Sequence, residues 1–224
     1  MNAPAPAELA NHLDVALWNP SATAGEIEAL CAEARQLKVR AVCVNGSRVE
    51  LAYARLEDSE VKAVALVGFP LGTMDADAKR FEAELAVDQG AHEIEIVLNP
   101  GLLKDGAHAQ LLRELRDVVE AADERPVCIA LESSLLAREE IAIACQLILD
   151  SGAQSVATGT GFWPKVRGSP EQVKLLRELV GPKFGVKAAG DIPDRQTALT
   201  LLDAGATRLG IVAGATALRD FVPG

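Results

Sequence analysis

Lys187 lies in the run Phe184-Gly185-Val186-Lys187-Ala188-Ala189-Gly190, among small and apolar residues that would leave an ammonium poorly hydrated. A buried lysine loses basicity, and its neutral amine is a base or a nucleophile towards a carbonyl carbon. The other reading is an ion pair with Glu95 or Asp14, charged and purely structural. Both stand at this point. Alternation along Glu93-Ile94-Glu95-Ile96-Val97 puts Glu93, Glu95 and Val97 on one face of a strand. A carboxylate on a buried face needs a cationic partner or a raised pKa. Together with Asp14 and Lys187, these acids form a candidate acid–base set. A second chemical stretch runs Ala153-Gln-Ser-Val-Ala-Thr-Gly-Thr-Gly-Phe162. Thr158 and Thr160 offer hydroxyls, and Gly159 and Gly161 let a ligand approach the backbone. An ordinary strand-to-helix turn that needs glycine for its geometry reads the same way.

The elements that must hold these residues follow one grammar. Apolar, β-compatible runs are predicted as strands at 12–17, 39–45, 61–68, 91–98, 127–132, from Ala153, at 184–189 and at 207–211. Helical spacing is predicted between them at 24–37, 47–56, 75–89, 102–122, 138–149, 170–180 and 194–204, with a last short helix at 216–221. The first shows the pattern well: Ile27, Leu30, Cys31 and Ala34 are spaced three, one and three apart. Strands this apolar suit a parallel sheet covered on both faces. Eight strand–helix units point to an α/β protein of the (β/α)8 TIM-barrel class, with residues 1–224 as a single domain. In such a barrel chemistry collects at the C-terminal ends of strands. There the sequence offers Asp14, Cys43, Asn45, Glu93, Glu95, Asn99, Cys128, Glu132, Thr158, Thr160 and Lys187.

Composition narrows the partners. The 224 residues are 49% hydrophobic and carry a formal net charge of −10, which argues against nucleic acid or an anionic membrane. No basic n-region with an apolar core opens the chain, and no run of about 18 apolar residues occurs, so neither a signal peptide nor a membrane span is expected. Cys31, Cys43, Cys128 and Cys145 lie far apart without metal-ligand spacing, and His12, His92 and His108 show no ligand pattern. Reduced thiols, a cytoplasmic location, and neither cofactor nor metal are expected.

Motifs along nearly the whole chain give a more specific expectation. Val42-Cys43-Val44-Asn45, Gly68-Phe69-Pro70-Leu71-Gly72, Gly90-Ala91-His92-Glu93-Ile94-Glu95, Leu131-Glu132, Gly185 to Gly190 and Gly205 to Gly210 occur in this order. With the Ala153–Phe162 stretch, the chain resembles the deoxyribose-phosphate aldolase family, whose matching motif is Lys-Thr-Ser-Thr-Gly-Phe. The resemblance implies a TIM barrel and carbon–carbon lyase chemistry on a small carbonyl substrate. It also implies that Lys187 matches a lysine assisting the imine-forming one, and that Glu95 matches a proton-relaying aspartate.

Several family positions have changed. The Schiff-base lysine falls at Ala157, whose methyl cannot form an imine. A further family lysine falls at Cys128. The phosphate cradle reads Gly190-Asp191 after strand seven, and after strand eight Gly210 is followed by Ile211, Val212 and Ala213, without side-chain donors. Lys165 and Arg167, in the loop after strand six, are read either as a source of positive charge for the site or as solvated loop residues. Catalysis is therefore expected to rest on Lys187, Glu95 and Asp14. Cys43, Asn45, Cys128, Thr158, Thr160, Gly161, Gly190, Asp191 and Gly210 are expected around a non-phosphorylated substrate. Three readings stay open: an aldolase-like lyase using Lys187 as its amine, a non-imine acid–base enzyme, and a non-catalytic metabolite-binding barrel. A homodimer is left open as the assembly.

Overall fold

A computed structural model describes residues 6–163, 169–212, 218 and 221–222. Eight parallel strands close into one barrel in chain order, with β1 hydrogen-bonded to β8. They are β1 (Leu13–Leu17), β2 (Ala41–Asn45), β3 (Lys62–Val67), β4 (Glu93–Val97), β5 (Val127–Ala130), β6 (Ser155–Ala157), β7 (Gly185–Ala189) and β8 (Arg208–Val212). The helices are α1 (Pro6–Ala10), α2 (Ala24–Leu37), α3 (Val49–Leu56), α4 (Ala76–Asp88), α5 (Pro100–Lys104), α6 (His108–Ala121), α7 (Arg138–Ser151), α8 (Pro170–Val180) and α9 (Arg195–Asp203). The (β/α)8 expectation is met.

Local chemistry explains the helix starts and stops. Thr23 caps α2 in a reciprocal box with Glu26, its side chain accepting from the Glu26 N–H while the Glu26 carboxylate accepts from the Thr23 N–H. Ser169 caps α8 with Pro170 in the first turn. Two differences from the sequence reading have local causes. The single helix expected over 102–122 is two, because Asn99 caps a short α5 and Gly106, at φ 70°, breaks the path before α6 begins. A short α1 precedes β1, and its Leu9 and Ala10 are buried. Of the predicted 216–221 helix only Leu218 and Phe221 are described, and both are buried.

The strands separate two interiors. Outward-facing residues such as Val15, Val44, Ile94, Ile129 and Val186 join helix residues such as Leu30, Leu111 and Ile148 in the large core between sheet and helices. Inside the barrel the apolar filling is small: Ala16, Ala41, Cys43, Val64 and Leu66 on one side, Val97, Cys128, Ala130 and Ala157 on the other. Small side chains leave room along the axis. That room is taken by charge.

Candidate active site

Lys187 projects inward from the middle of β7 and is 3% exposed. Its Nζ donates to Glu95 Oε2 at 2.6 Å, lies 3.1 Å from Asp14 Oδ2, and is 3.8 Å from Cys43 Sγ. Gly210 across the β7–β8 boundary makes this possible, since a Cβ there would come within 2.8 Å of Lys187 Cε. Burial alone drives an ammonium towards neutrality, but the acidic groups of Cys43, Glu95, Asp14 and Cys128 facing it outweigh burial and hold Lys187 well above 10.5. At neutral pH the two carboxylates are the partners that count, because burial pushes the Cys43 thiol far up and that of Cys128 up to about 12. Asp14 moves the other way. Burial raises its carboxyl, and Lys187, Arg40 and Arg208 together pull it below its ordinary value.

These groups belong to a longer chain of opposite charges. Asp14 also accepts from Arg40 Nη1 at 2.6 Å, Arg40 pairs with Glu93, and Glu93 receives Arg208 Nη1 at 2.9 Å. From Glu95 through Lys187, Asp14, Arg40 and Glu93 to Arg208 the sign alternates at every step, and three cations balance three anions. Glu93 is thus an ion-pair partner, while Glu95 faces Lys187. Asp14, expected at a C-terminal strand end, is the second residue of β1 and sits towards the barrel's lower half. Arg40 was not singled out in the sequence; its place just ahead of β2 put it at the other end of the barrel from the expected chemistry.

Asp14, Cys43 and Glu95 hold ligand atoms within 4.8 Å of one another, the spacing of a small metal site. The ammonium of Lys187 contacts all three, so the cation of this cluster is part of the chain itself.

Around β6 the hydroxyls expected to meet substrate are spent on the fold. Thr158 Oγ1 accepts from Ala189 N at 3.0 Å and donates to Ala189 O at 3.2 Å, joining β6 to β7. Thr160 Oγ1 donates to Glu132 and accepts from Phe162 N. Glu132 sits buried with a left-handed backbone, φ 53°. The sequence offered it at the end of strand five without a role. Gly159 is what admits it, since a Cβ there would meet Glu132 Oε1 at 2.4 Å. Gly159→Ala is accordingly expected to cost about 1–3 kcal/mol, read as a lower denaturation midpoint with unchanged slope.

The other expected residues are scattered. Cys128 faces the interior next to Glu95 in register, and Ala157 is the register partner of Lys187. Asn45 donates to the Trp18 carbonyl at 3.0 Å. Gly161 and Gly190 take positive φ at strand ends, and Asp191 is exposed. Lys165, Arg167 and Ala213 lie outside the described residues.

Above Lys187 the described residues leave little open space. The cavity bordered by Glu95, Lys187, Thr160 and Gly210 amounts to about 10 Å³, room for about one water molecule. Trp18 directly after β1, Phe69 shortly after β3 and Phe162 in the loop that follows β6 close over it with ring centroids 5.3–6.1 Å apart. Sequence reading passed over this cover, although the rings close behind β1 and β3 were part of its signal.

Comparison with known proteins adds to this geometry. No protein-family model matches the chain. It is 40% identical to a deoxyribose-phosphate aldolase of Alkaliphilus oremlandii over 213 residues, 95% of this chain and 96% of that one. Identity is 41% to a deoxyribose-phosphate aldolase of Bdellovibrio bacteriovorus over 212 residues, 95% of this chain and 96% of the relative. Among solved structures, the aldolase QR15 superposes with a TM-score of 0.89 at 32% identity, covering 96% of each chain. The tetrameric deoxyribose phosphate aldolase of Aeropyrum pernix gives 0.88 at 28% identity, covering 97% of this chain and 91% of that one. With an eight-stranded closed barrel and identity of this order along nearly its full length, the chain belongs to the deoxyribose-phosphate aldolase family.

Proposed function

We propose that this protein makes or breaks a carbon–carbon bond next to the carbonyl of a small, non-phosphorylated compound, through an enolate and without an imine. The observation that carries the reading is Lys187 Nζ held between Glu95 and Asp14, with only the methyl of Ala157 at its register position on β6. An ammonium fixed in this way is a donor for a carbonyl oxygen rather than a nucleophile. In the cleavage direction Glu95 takes the proton from the β-hydroxyl, the Cα–Cβ bond breaks, and its electron pair passes into the enolate. The enolate oxygen is held by Lys187. A proton returned to Cα completes the reaction and restores Glu95. Reduced thiols, free and buried in all four cysteines, support a cytoplasmic place of action.

The test separates enolate from imine. In D2O the protein is expected to exchange the α-protons of acetone or hydroxyacetone, followed by proton NMR, while borohydride leaves no mass increment on Lys187. A reduced adduct mapped to Lys187 would restore the amine reading and overturn this one. A second reading, a metabolite-binding barrel without catalysis, is favoured by the pairing of Lys187 with two carboxylates, which gives the ammonium a purely structural use. Saturable carbonyl binding without any exchange would establish it instead.

A further inference from the structure

We propose that the mouth of this barrel is a binding site for an uncharged aromatic carbonyl compound, an aryl-substituted aldehyde or ketone. Only the carbonyl part rests on the reading above; the ring site stands on its own observations. Beside the aromatic cover lies a cavity of about 510 Å³, bordered by Trp18, Phe69, Phe162, Leu66, Asn45 and Glu82, among others. That is the size of a small-molecule site. The whole chain has eight aromatic residues, and four of them, Trp18, Phe69, Phe162 and Trp163, form one connected set of ring contacts here. Such concentration in an aromatic-poor chain calls for an explanation beyond packing. Flat ligands are held by offset or edge-on contact with such rings.

Charge argues in the same direction. No lysine or arginine borders the cavity among the described residues, and its one acid, Glu82, already accepts from Gly68 N at 2.8 Å. An anion finds no counter-charge here among the described residues. One donor is unmet: Trp18 Nε1 is buried without a hydrogen-bond partner among the described residues. A buried indole N–H seeks an acceptor, and a ligand oxygen supplies one. Trp18 and Leu66 border both this outer cavity and the small one over Lys187. The ring site therefore adjoins the small cavity over Lys187, with Trp18 and Leu66 as the shared wall.

Three probes test the site on the full chain: phenylacetaldehyde, its alcohol 2-phenylethanol, and deoxyribose 5-phosphate. Binding is followed by quenching of indole fluorescence in Trp163→Phe, which leaves Trp18 as the sole tryptophan, and by ligand-observed NMR. Phenylacetaldehyde and 2-phenylethanol are expected to bind with Kd below about 1 mM, and deoxyribose 5-phosphate not at all. Phe69→Ala is expected to weaken the aromatic probes by about tenfold. Trp18→Phe, which keeps a ring and removes the donor, is expected to weaken them less but measurably. Failure of 2-phenylethanol to bind, unchanged affinity in both variants, or preference for deoxyribose 5-phosphate would each overturn the site. Exchange of acetone protons without aromatic binding would sink this proposal and spare the enolate reading. Aromatic binding without exchange of any carbonyl compound would do the reverse.

Discussion

Lys187→Met is expected to lower the unfolding free energy at pH 7 by about 3–5 kcal/mol, because it leaves two buried carboxylates without their shared cation. Glu95 and Asp14 lose contacts of 2.6 and 3.1 Å, while Asp14 keeps Arg40. Urea denaturation reads the change directly. A second substitution, Glu95→Leu, is expected to return part of the loss, since it removes a charge that no longer has a partner. A stable Lys187→Met protein with a wild-type midpoint would show that the charge chain does not hold the barrel together. The pH dependence has a definite sign. The folded pKa of Lys187 is raised, so its contribution is complete below about 10.4, the unfolded value, and fades as pH rises through the folded one. The folded pKa of Asp14 is depressed, so its contribution is complete above about 3.9 and fades as pH falls through the folded value. The stability difference between wild type and Lys187→Met is thus expected to be flat between those limits and to shrink outside them. Amine-reactive labelling of Lys187 is expected to reach half-reaction only above about 10.5.

Cleavage of deoxyribose 5-phosphate is expected to be absent, or at least about 10³–10⁴-fold below an ordinary enzyme rate, the scale of losing a covalent catalyst. Ala157 brings no amine to β6, and no hydroxyl side chain follows Gly210 through Val212 to face a phosphate. A coupled assay for acetaldehyde measures it, and turnover of about 1–10 per second would refute the absence of imine chemistry. Ala157→Lys alone is expected not to restore the reaction. Residue 157 is in register with Lys187, so the new ammonium would join an interior whose charges already cancel.

The fold was legible because its signal is periodic. Each strand carries a run such as Val42 to Val44 or Ile94 to Val97 that must be buried on both faces, and caps such as Thr23 and Ser169 mark where helices begin. The helix break at Gly106 was not legible, since Leu102, Leu103 and Leu111 keep an apolar face across it. Lys187, Glu95 and Asp14 could be paired from the sequence as one of two readings, because charge inside a strand pattern must be answered by charge. The roles of Thr158, Thr160 and Glu132 could not. A hydroxyl after a strand is equally a ligand contact or a splint, and the 3.0 Å contact to Ala189 N shows Thr158 in the second use. Arg40 and the Trp18–Phe69–Phe162 cover depend on strands that meet only when the barrel closes.

The alternating charges also constrain how this interior changes over generations. A lone mutation that adds or deletes one ionised group leaves an orphan, so tolerated steps come in pairs or begin beside a complement. Cys128 is the register partner of Glu95, whereas Ala157 is the register partner of Lys187. A lysine arriving at either position would leave the balance of three cations and three anions with one cation in excess. Such a step is therefore expected to be accepted only alongside a second one that adds an acid or removes a cation, which ties the letter at 157 to the charges around it.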